Sequence, residues 1–334
     1  MKSRAGFFGA LVATALSLSL IPPSHAAPTL AQIQAQVTQL RDEATAAAEG
    51  AQEAKVKLTS LQKSLAGIQA QAAAQGKNVD AIARSLGIIA VNQYKAGPLS
   101  GGIELLFSED PELYLSSAGA LEAVTRQKSI ALKNYQSATL KLNATSLTVA
   151  DQVAQVKALE KKLAKQSALA EQKLAAAEAL LAKLKKEDRE RLARLAQEQE
   201  DKDQKDSLAE ASKVSGVSGR AGLAIKFALK QIGDRYVFGA DGLTYWDCSG
   251  LTMRAYQAAG VNLPHSSAAQ SRMGKSIPFS QKKPGDLLFF GRPVSHVSIY
   301  LGNGRMVHAP RSGSRVKIAD LNMGSKRLVA VRRF

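Results

Sequence analysis

Tyr245-Trp246-Asp247-Cys248-Ser249-Gly250-Leu251 contains the only cysteine in a chain of 334 residues. Ser249 to Ala259 reads as a helix ended by Gly260, so Asp247 falls at the N-cap and Cys248 in the first turn. A thiol placed there meets the partial positive charge of a helix N-terminus, which favours the thiolate, the nucleophilic form. The backbone N–H groups of the same turn point outward, where a tetrahedral oxyanion could accept a bond. Asp-Cys-Ser-Gly at a helix start is a poor setting for an inert core cysteine.

The chain begins with Lys2 and Arg4, an apolar run from Phe7 to Ile21, Pro22-Pro23, and then Ser24-His25-Ala26. That is the layout of a secretory signal over residues 1–26, with small residues placed for cleavage after Ala26. The apolar run is short for a bilayer span, and no cysteine follows it to carry a lipid. A secreted, extracytoplasmic chain follows. A single thiol in such a chain has no internal disulfide partner, so it reads as chemical.

Two of the four histidines, His296 and His308, lie downstream on alternating segments joined by Gly302-Asn303-Gly304. A two-residue Asn303-Gly304 turn would put them on opposite faces of the hairpin. A three-residue loop with Gly304 in the left-handed conformation pairs His308 with Ser298 and makes His296 its diagonal neighbour. Val297, Ile299, Leu301 and Val307 then share the other face as core. In that register His296 serves as general base to Cys248 and His308 orients it. Two histidines with no third ligand make a weak case for a metal, and no cofactor is expected.

Thr29 to Lys213 is rich in Ala, Gln, Lys, Glu and Leu. Leu30, Ile33, Val37, Leu40, Ala44, Ala47, Ala51, Ala54, Leu58, Leu61, Leu65, Ile68 and Ala72 advance in steps of three and four, the mark of a left-handed coiled coil. The pattern breaks at Lys95-Ala96-Gly97-Pro98, so residues 27–211 are expected to form an all-α helical hairpin with its tip at about 95–113. Ile103, Leu105, Leu106, Phe107, Leu113, Tyr114 and Leu115 make that tip apolar, as a local core or a docking patch. The charged stretch Lys185 to Asp206 reads mostly as a solvated stalk, and 212–219 as a flexible linker to a compact domain over 220–334. From Gly216 onward there are 18 Lys and Arg against 5 Asp and Glu, out of a net charge of +17. Such a surface is drawn to polyanions, which for an exported protein means anionic wall polymers or lipid surfaces and not nucleic acid.

The second half resembles the NlpC-type cell-wall peptidases, papain-like cysteine enzymes of bacteria. The resemblance rests on Asp247-Cys248-Ser249-Gly250-Leu251, Leu263-Pro264 with Ser266-Ser267, Pro284-Gly285-Asp286-Leu287, His296 to Gly304, and His308-Ala309-Pro310. It implies an α+β papain-like domain with a small antiparallel sheet and a triad of Cys248, His296 and His308. It further implies that Tyr236 lines the site near the oxyanion and that Asp247 and Ser249 help hold substrate. Trp246 stands where Phe is usual, Gly239-Ala240 replaces a Gly pair, and His265 stands where Arg often follows Leu-Pro. His265 would contact a substrate carboxylate or cap a loop.

Signal, coiled-coil hairpin and C-terminal domain together resemble the actinobacterial Rip group of peptidoglycan endopeptidases. That resemblance implies cleavage of the stem peptide between D-glutamate and the diamino acid, in wall remodelling and daughter-cell separation. It also implies that the coiled coil restrains the enzyme until a membrane partner resembling the FtsE–FtsX division complex engages it. An amidase or acyl transferase acting on another wall substrate, and a non-catalytic division scaffold, are the other readings. The intact Cys248, His296 and His308 argue against a pure scaffold.

Overall fold

The structure is a computed structural model and describes residues 28–96 and 111–334. The expected signal segment and the centre of the hairpin tip lie outside the described residues, as do the side chains of Leu113 to Leu115. Helix α1 spans Leu30–Ala96 and α2 spans Pro111–Ala182. They run antiparallel, as Lys173 with Glu43, Lys162 with Glu53 and Lys128 with Gln93 show, since one partner advances as the other recedes. Ile33 and Val37 pack with Ala177, and Ala47 and Ala48 with Ala170. The small residues permit close approach but remove little apolar area from water, so the seam contributes little by itself.

The second strand of the hairpin is not one continuous helix. It breaks after Ala182, and α3 restarts over Lys186–Ala211. Nor is α3 a free stalk. Leu192 and Ser207 are buried, Ser207 Oγ accepts the backbone N–H of Ile318 at 3.0 Å, and Arg305 meets Glu210 at 2.8 Å. Val214 and Val217, in the segment expected as a linker, pack against the C-terminal core.

After α4 (Gly219–Leu229) and a short parallel pair, β1 (Arg235–Tyr236) and β2 (Tyr245–Trp246), comes α5 (Cys248–Gln257). A short α6 (Ser267–Gln270) leads to a six-stranded antiparallel sheet. Its strands are β3 (Lys275–Ser276), β4 (Leu287–Phe290), β5 (His296–Gly302), β6 (Arg305–His308), β7 (Lys317–Asp320) and β8 (Leu328–Arg333), in the order β3-β8-β4-β5-β6-β7. One face carries Leu287, Phe289, Val297, Ile299 and Val307 against Ala224, Ala228, Leu251 and Ala255 of α4 and α5. The other face carries Leu288, Phe290, Tyr300 and Met306. The face holding the histidines is therefore mostly a second small core, not the open site that its polar residues suggested.

The β5–β6 hairpin keeps the register required to bring the histidines together, by a different device. Ile299 pairs with Val307 and Tyr300 with Met306, but the closing pair is Gly302 with Arg305. The turn is thus the two-residue Asn303-Gly304, with positive φ of 50° and 72°, and the register shift between Tyr300 and Gly302 restores the pairing. An extra residue in one strand of an antiparallel pair moves every side chain beyond it to the other face.

Candidate active site

Helix α5 is fixed by its cap. Asp247 Oδ1 accepts the N–H of Gly250 at 2.6 Å, and Oδ2 accepts the N–H of Gly239 at 2.8 Å and meets His265 Nε2 at 2.8 Å. A carboxylate cap of this kind contributes about 1 kcal/mol. Gly250 is required because a Cβ there would run into the carbonyl oxygen of Ala240. Asp247 is fully buried and its oxygens are taken up by the protein, so it builds the floor of the cleft.

Cys248 in the first turn of α5 lies beside β5, where the backbone of Val297 interacts with its sulfur. His296 Nε2 and His308 Nδ1 are 2.9 Å apart with the rings edge-on. His296 Nδ1 is buried and has no hydrogen-bond partner among the described residues, which leaves it available to a proton from the site. Burial holds His296 well below the usual imidazole range, with His308 adding to the effect, and burial pulls His308 down to about 3. Lys317, Arg311 and Lys326 press on the His308 imidazole in the same sense. Both rings are neutral here.

The expected lowering of the thiol is not met. Burial pushes Cys248 well above the ordinary thiol value, and Glu49 and Asp247 push it further. Cys248 is completely buried, because the outer face of α1 lies across it. Cys248 Sγ donates to Glu49 Oε1 at 3.1 Å, and Ser249 Oγ donates to the same oxygen at 2.9 Å. Glu49 Oε2 accepts from the N–H of Ser267 at 3.0 Å and from its hydroxyl at 2.7 Å. Glu49 is only 1% exposed. Neighbouring contacts extend the seal: Arg272 meets Glu53 at 3.2 Å and Arg311 meets Asp42 at 3.5 Å.

Tyr236, Ser249 and His265 lie around Asp247. Tyr236 is buried near Cys248, Asp247 and Glu49, and burial first, then those groups, push its phenol well above the usual range. Ser249 Oγ also lies 3.1 Å from Asp247 Oδ1. His265 touches Asp247 and so braces the cap of α5. Burial pulls its imidazole down, but the hydrogen bond and charge of Asp247 outweigh that and raise it.

Sequence reasoning missed Glu49 and Gln270. Gln270 is fully buried and ties α5 to α6 through Thr252 Oγ1 at 2.7 Å and the carbonyls of Ser249 and Pro264, each at 2.9 Å. Ser267 stood in the quoted motif without a role. Glu49 had a faint signal. With Ala44 and Ala51 as core positions, Thr45, Glu49 and Gln52 fall on the outermost face of a two-helix coil, yet they are interleaved with more alanine than one seam needs.

Among the described residues no group of three His, Cys, Asp or Glu side chains is placed to hold a metal. No described helix is long and apolar enough to cross a membrane. A cavity of about 900 Å³ remains open between α1 and the loop before β5, lined by Asp42, Glu43, Arg292, Ser295 and Lys326.

Residues 233–333 match the NlpC/P60 family. A protein named probable endopeptidase from Mycobacterium tuberculosis is 41% identical over 98 residues, which cover 29% of this chain and 26% of that protein. Peptidoglycan endopeptidase RipA from the same organism is 38% identical over 111 residues, 29% of this chain and 24% of RipA. A solved NlpC/P60 family protein from Bacillus cereus aligns over 36% of this chain and 41% of its own, at 30% identity and a TM-score of 0.34. The chain spans about a quarter of the length of these curated relatives.

Proposed function

With residues 233–333 forming an NlpC/P60 domain, we propose that the protein is a cysteine endopeptidase of peptidoglycan, cleaving the γ-D-glutamyl–diamino acid bond of the stem peptide. The observation that supports this reading is Cys248 at the capped N-terminus of α5, with its sulfur at the backbone of Val297, the residue after His296, which itself pairs with His308. Once the cleft is open, His296 Nδ1 takes the thiol proton and the sulfur attacks the amide carbon. The backbone N–H groups of the first turn of α5 face the developing oxyanion. Proton return from His296 releases the amine of the diamino acid and leaves a thioester. Water, deprotonated by His296, then hydrolyses the thioester and frees the D-glutamyl carboxylate and the thiol. His308 holds the tautomer and orientation of His296. Tyr236 and Ser249 line the substrate side.

The protein acts outside the cytoplasm, in wall remodelling and cell separation, and its basic C-terminal half favours anionic wall polymers. The coiled coil restrains it, because α1 lies over the thiol and leaves it no accessible surface. A membrane partner resembling the FtsE–FtsX complex would act through the hairpin. The test is digestion of purified wall by residues 219–334, followed by mass spectrometry of the fragments. New amine termini on the diamino acid support the endopeptidase. Release of the stem peptide from the sugar chain supports an amidase instead. A folded fragment that releases nothing ends the enzymatic reading.

A further inference from the structure

We propose that Glu49 is the lock of the closed form: a carboxylate built into the coiled coil that occupies the cleft's own acidic-group pocket and must be withdrawn before substrate can enter. This deepens the endopeptidase reading and rests on it only for the identity of the competing substrate. The cleft offers Glu49 four donors, the Cys248 thiol, the Ser249 hydroxyl and both the N–H and hydroxyl of Ser267, two to each carboxyl oxygen. No cation among the described residues pairs with it. A buried carboxyl without a counter-ion is costly unless every lone pair is engaged, and here the pocket engages them. The pocket is therefore shaped for a carboxylate, and it lies against the nucleophile.

Glu53, one turn along α1, shows what an ordinary rim contact looks like. It meets Lys57 at 2.8 Å, Arg272 at 3.2 Å and Lys162 at 3.8 Å, at the edge of the interface. Glu49 differs in chemistry as well as depth. It hydrogen-bonds the sulfur directly, so the thiol proton is directed to the coil and not to His296. The lock thus blocks access and also holds the nucleophile in its unreactive form. A substrate carrying a free carboxylate next to its scissile bond would compete for the same donors, which couples substrate arrival to displacement of the coil.

The single cysteine makes this measurable without an assay of hydrolysis. Alkylation of Cys248 by iodoacetamide, with loss of iodide, reports opening of the cleft in the full chain. The expected result is that Glu49→Ala is alkylated at least about tenfold faster than wild type, a 1.4 kcal/mol shift in the closed–open balance. Glu53→Ala should stay within about twofold on the same scale. Alanine is the best helix former, so Glu49→Ala preserves α1, and far-ultraviolet circular dichroism checks it. Equal, slow alkylation of Glu49→Ala and wild type overturns the lock, as does equal acceleration by Glu53→Ala. Faster alkylation of Glu49→Ala without wall fragments leaves the lock standing and removes the endopeptidase. Unchanged alkylation in a chain whose 219–334 fragment digests wall does the reverse.

Discussion

The C-terminal domain is held by two helices in two different ways. Helix α1 covers its cleft with Thr45, Ala48, Glu49 and Gln52, all buried, and one hydrogen-bonded cluster around Glu49 at the centre. Helix α3 grips its sheet edge through charge: Lys317 reaches Glu200 at 3.1 Å and Asp203 at 2.6 Å, Arg305 reaches Glu210, and Ser207 engages the otherwise open edge of β7. The first contact is dry and specific, so it opens by displacement. The second is partly solvated and screened by salt, so it weakens gradually. The two suit different tasks, a plug over the nucleophile and a tether that keeps the domain beside its plug. Farther out no described element forms a third layer on the hairpin. Ile88, Tyr94, Leu140 and Leu147 are 63%, 89%, 69% and 73% exposed. Most of the buried seam residues of α1 lie between Ile33 and Ala54, with Val79 alone buried farther out among the described residues.

The largest effect separating the plug from the chemistry beneath it comes from the nucleophile. Cys248→Ala in the full chain should leave closure intact, yet in the 219–334 fragment it should remove wall hydrolysis by more than about 10⁴-fold, because the two remaining groups do not act alone. Zymography with circular dichroism as the folding control measures this. Activity persisting in the folded variant would detach the plug from any catalytic meaning.

His308→Ala comes next. It leaves His296 Nε2 without its partner in a buried site, so the base loses orientation while the thiol stays. A loss of about 10²-fold in kcat with little change in KM is the expected split, read on the 219–334 fragment. A change in KM alone would make His308 a substrate contact.

The placement of the candidate site's residues was legible because it sits on local signals. The Asp247 cap, the Cys248 turn and the alternation through His296 and His308 each depend on neighbours a few residues away. The hairpin was half legible. The shared face was required by the histidines, but the bulge near Leu301 that achieves it with an Asn303-Gly304 turn leaves no mark in a pattern of alternation. The plug was illegible for a physical reason. Glu49 occupies the most outward position of its heptad, and only a partner about 200 residues away in the chain turns that outside into an inside. The same holds for α3, whose acidic residues read as solvated until Lys317 and Arg305 are placed against them.

A smaller effect is expected from pH, and its sign follows from Glu49. Burial, then the facing Asp247, raise its carboxyl above the ordinary 4.5, while the donors from Ser267 and Cys248 only partly offset this. A group whose value is raised in the closed form stabilises closure fully below its released value, and loses that contribution as pH rises through the raised value. Of the other groups facing Glu49, Cys248 and Tyr236 ionise later and in the same destabilising sense, and His265, raised through Asp247, loses its positive charge in that sense too. Glu53 on α1 stays ionised among its cations and is held below its ordinary value. Cys248 alkylation in the full chain should therefore climb more steeply with pH than thiol ionisation alone allows. Glu49→Gln, a neutral mimic of the protonated carboxyl, should flatten the excess. Identical slopes in the two proteins would mean that Glu49 does not titrate on opening.

The smallest effect tests the tether. Lys317 is 17% exposed and its partners Glu200 and Asp203 are 19% and 27% exposed, so the cluster is shielded from solvent without being dry. Desolvation first raises Asp203, but the hydrogen bond from Lys317 outweighs it and holds the carboxyl below its usual range. Pairs of this kind contribute on the order of 1 kcal/mol, less at high salt. Lys317→Ala should therefore loosen α3 by several-fold in population, seen as faster hydrogen exchange at the Ile318 amide that Ser207 protects. Cys248 alkylation should rise less than in Glu49→Ala, because the plug and its four hydrogen bonds remain. Added salt should bring wild type toward Lys317→Ala at Ile318 while leaving the plug largely closed. If Lys317→Ala instead exposes Cys248 as fully as Glu49→Ala does, tether and plug are one cooperative unit. Withdrawing either helix would then open the cleft.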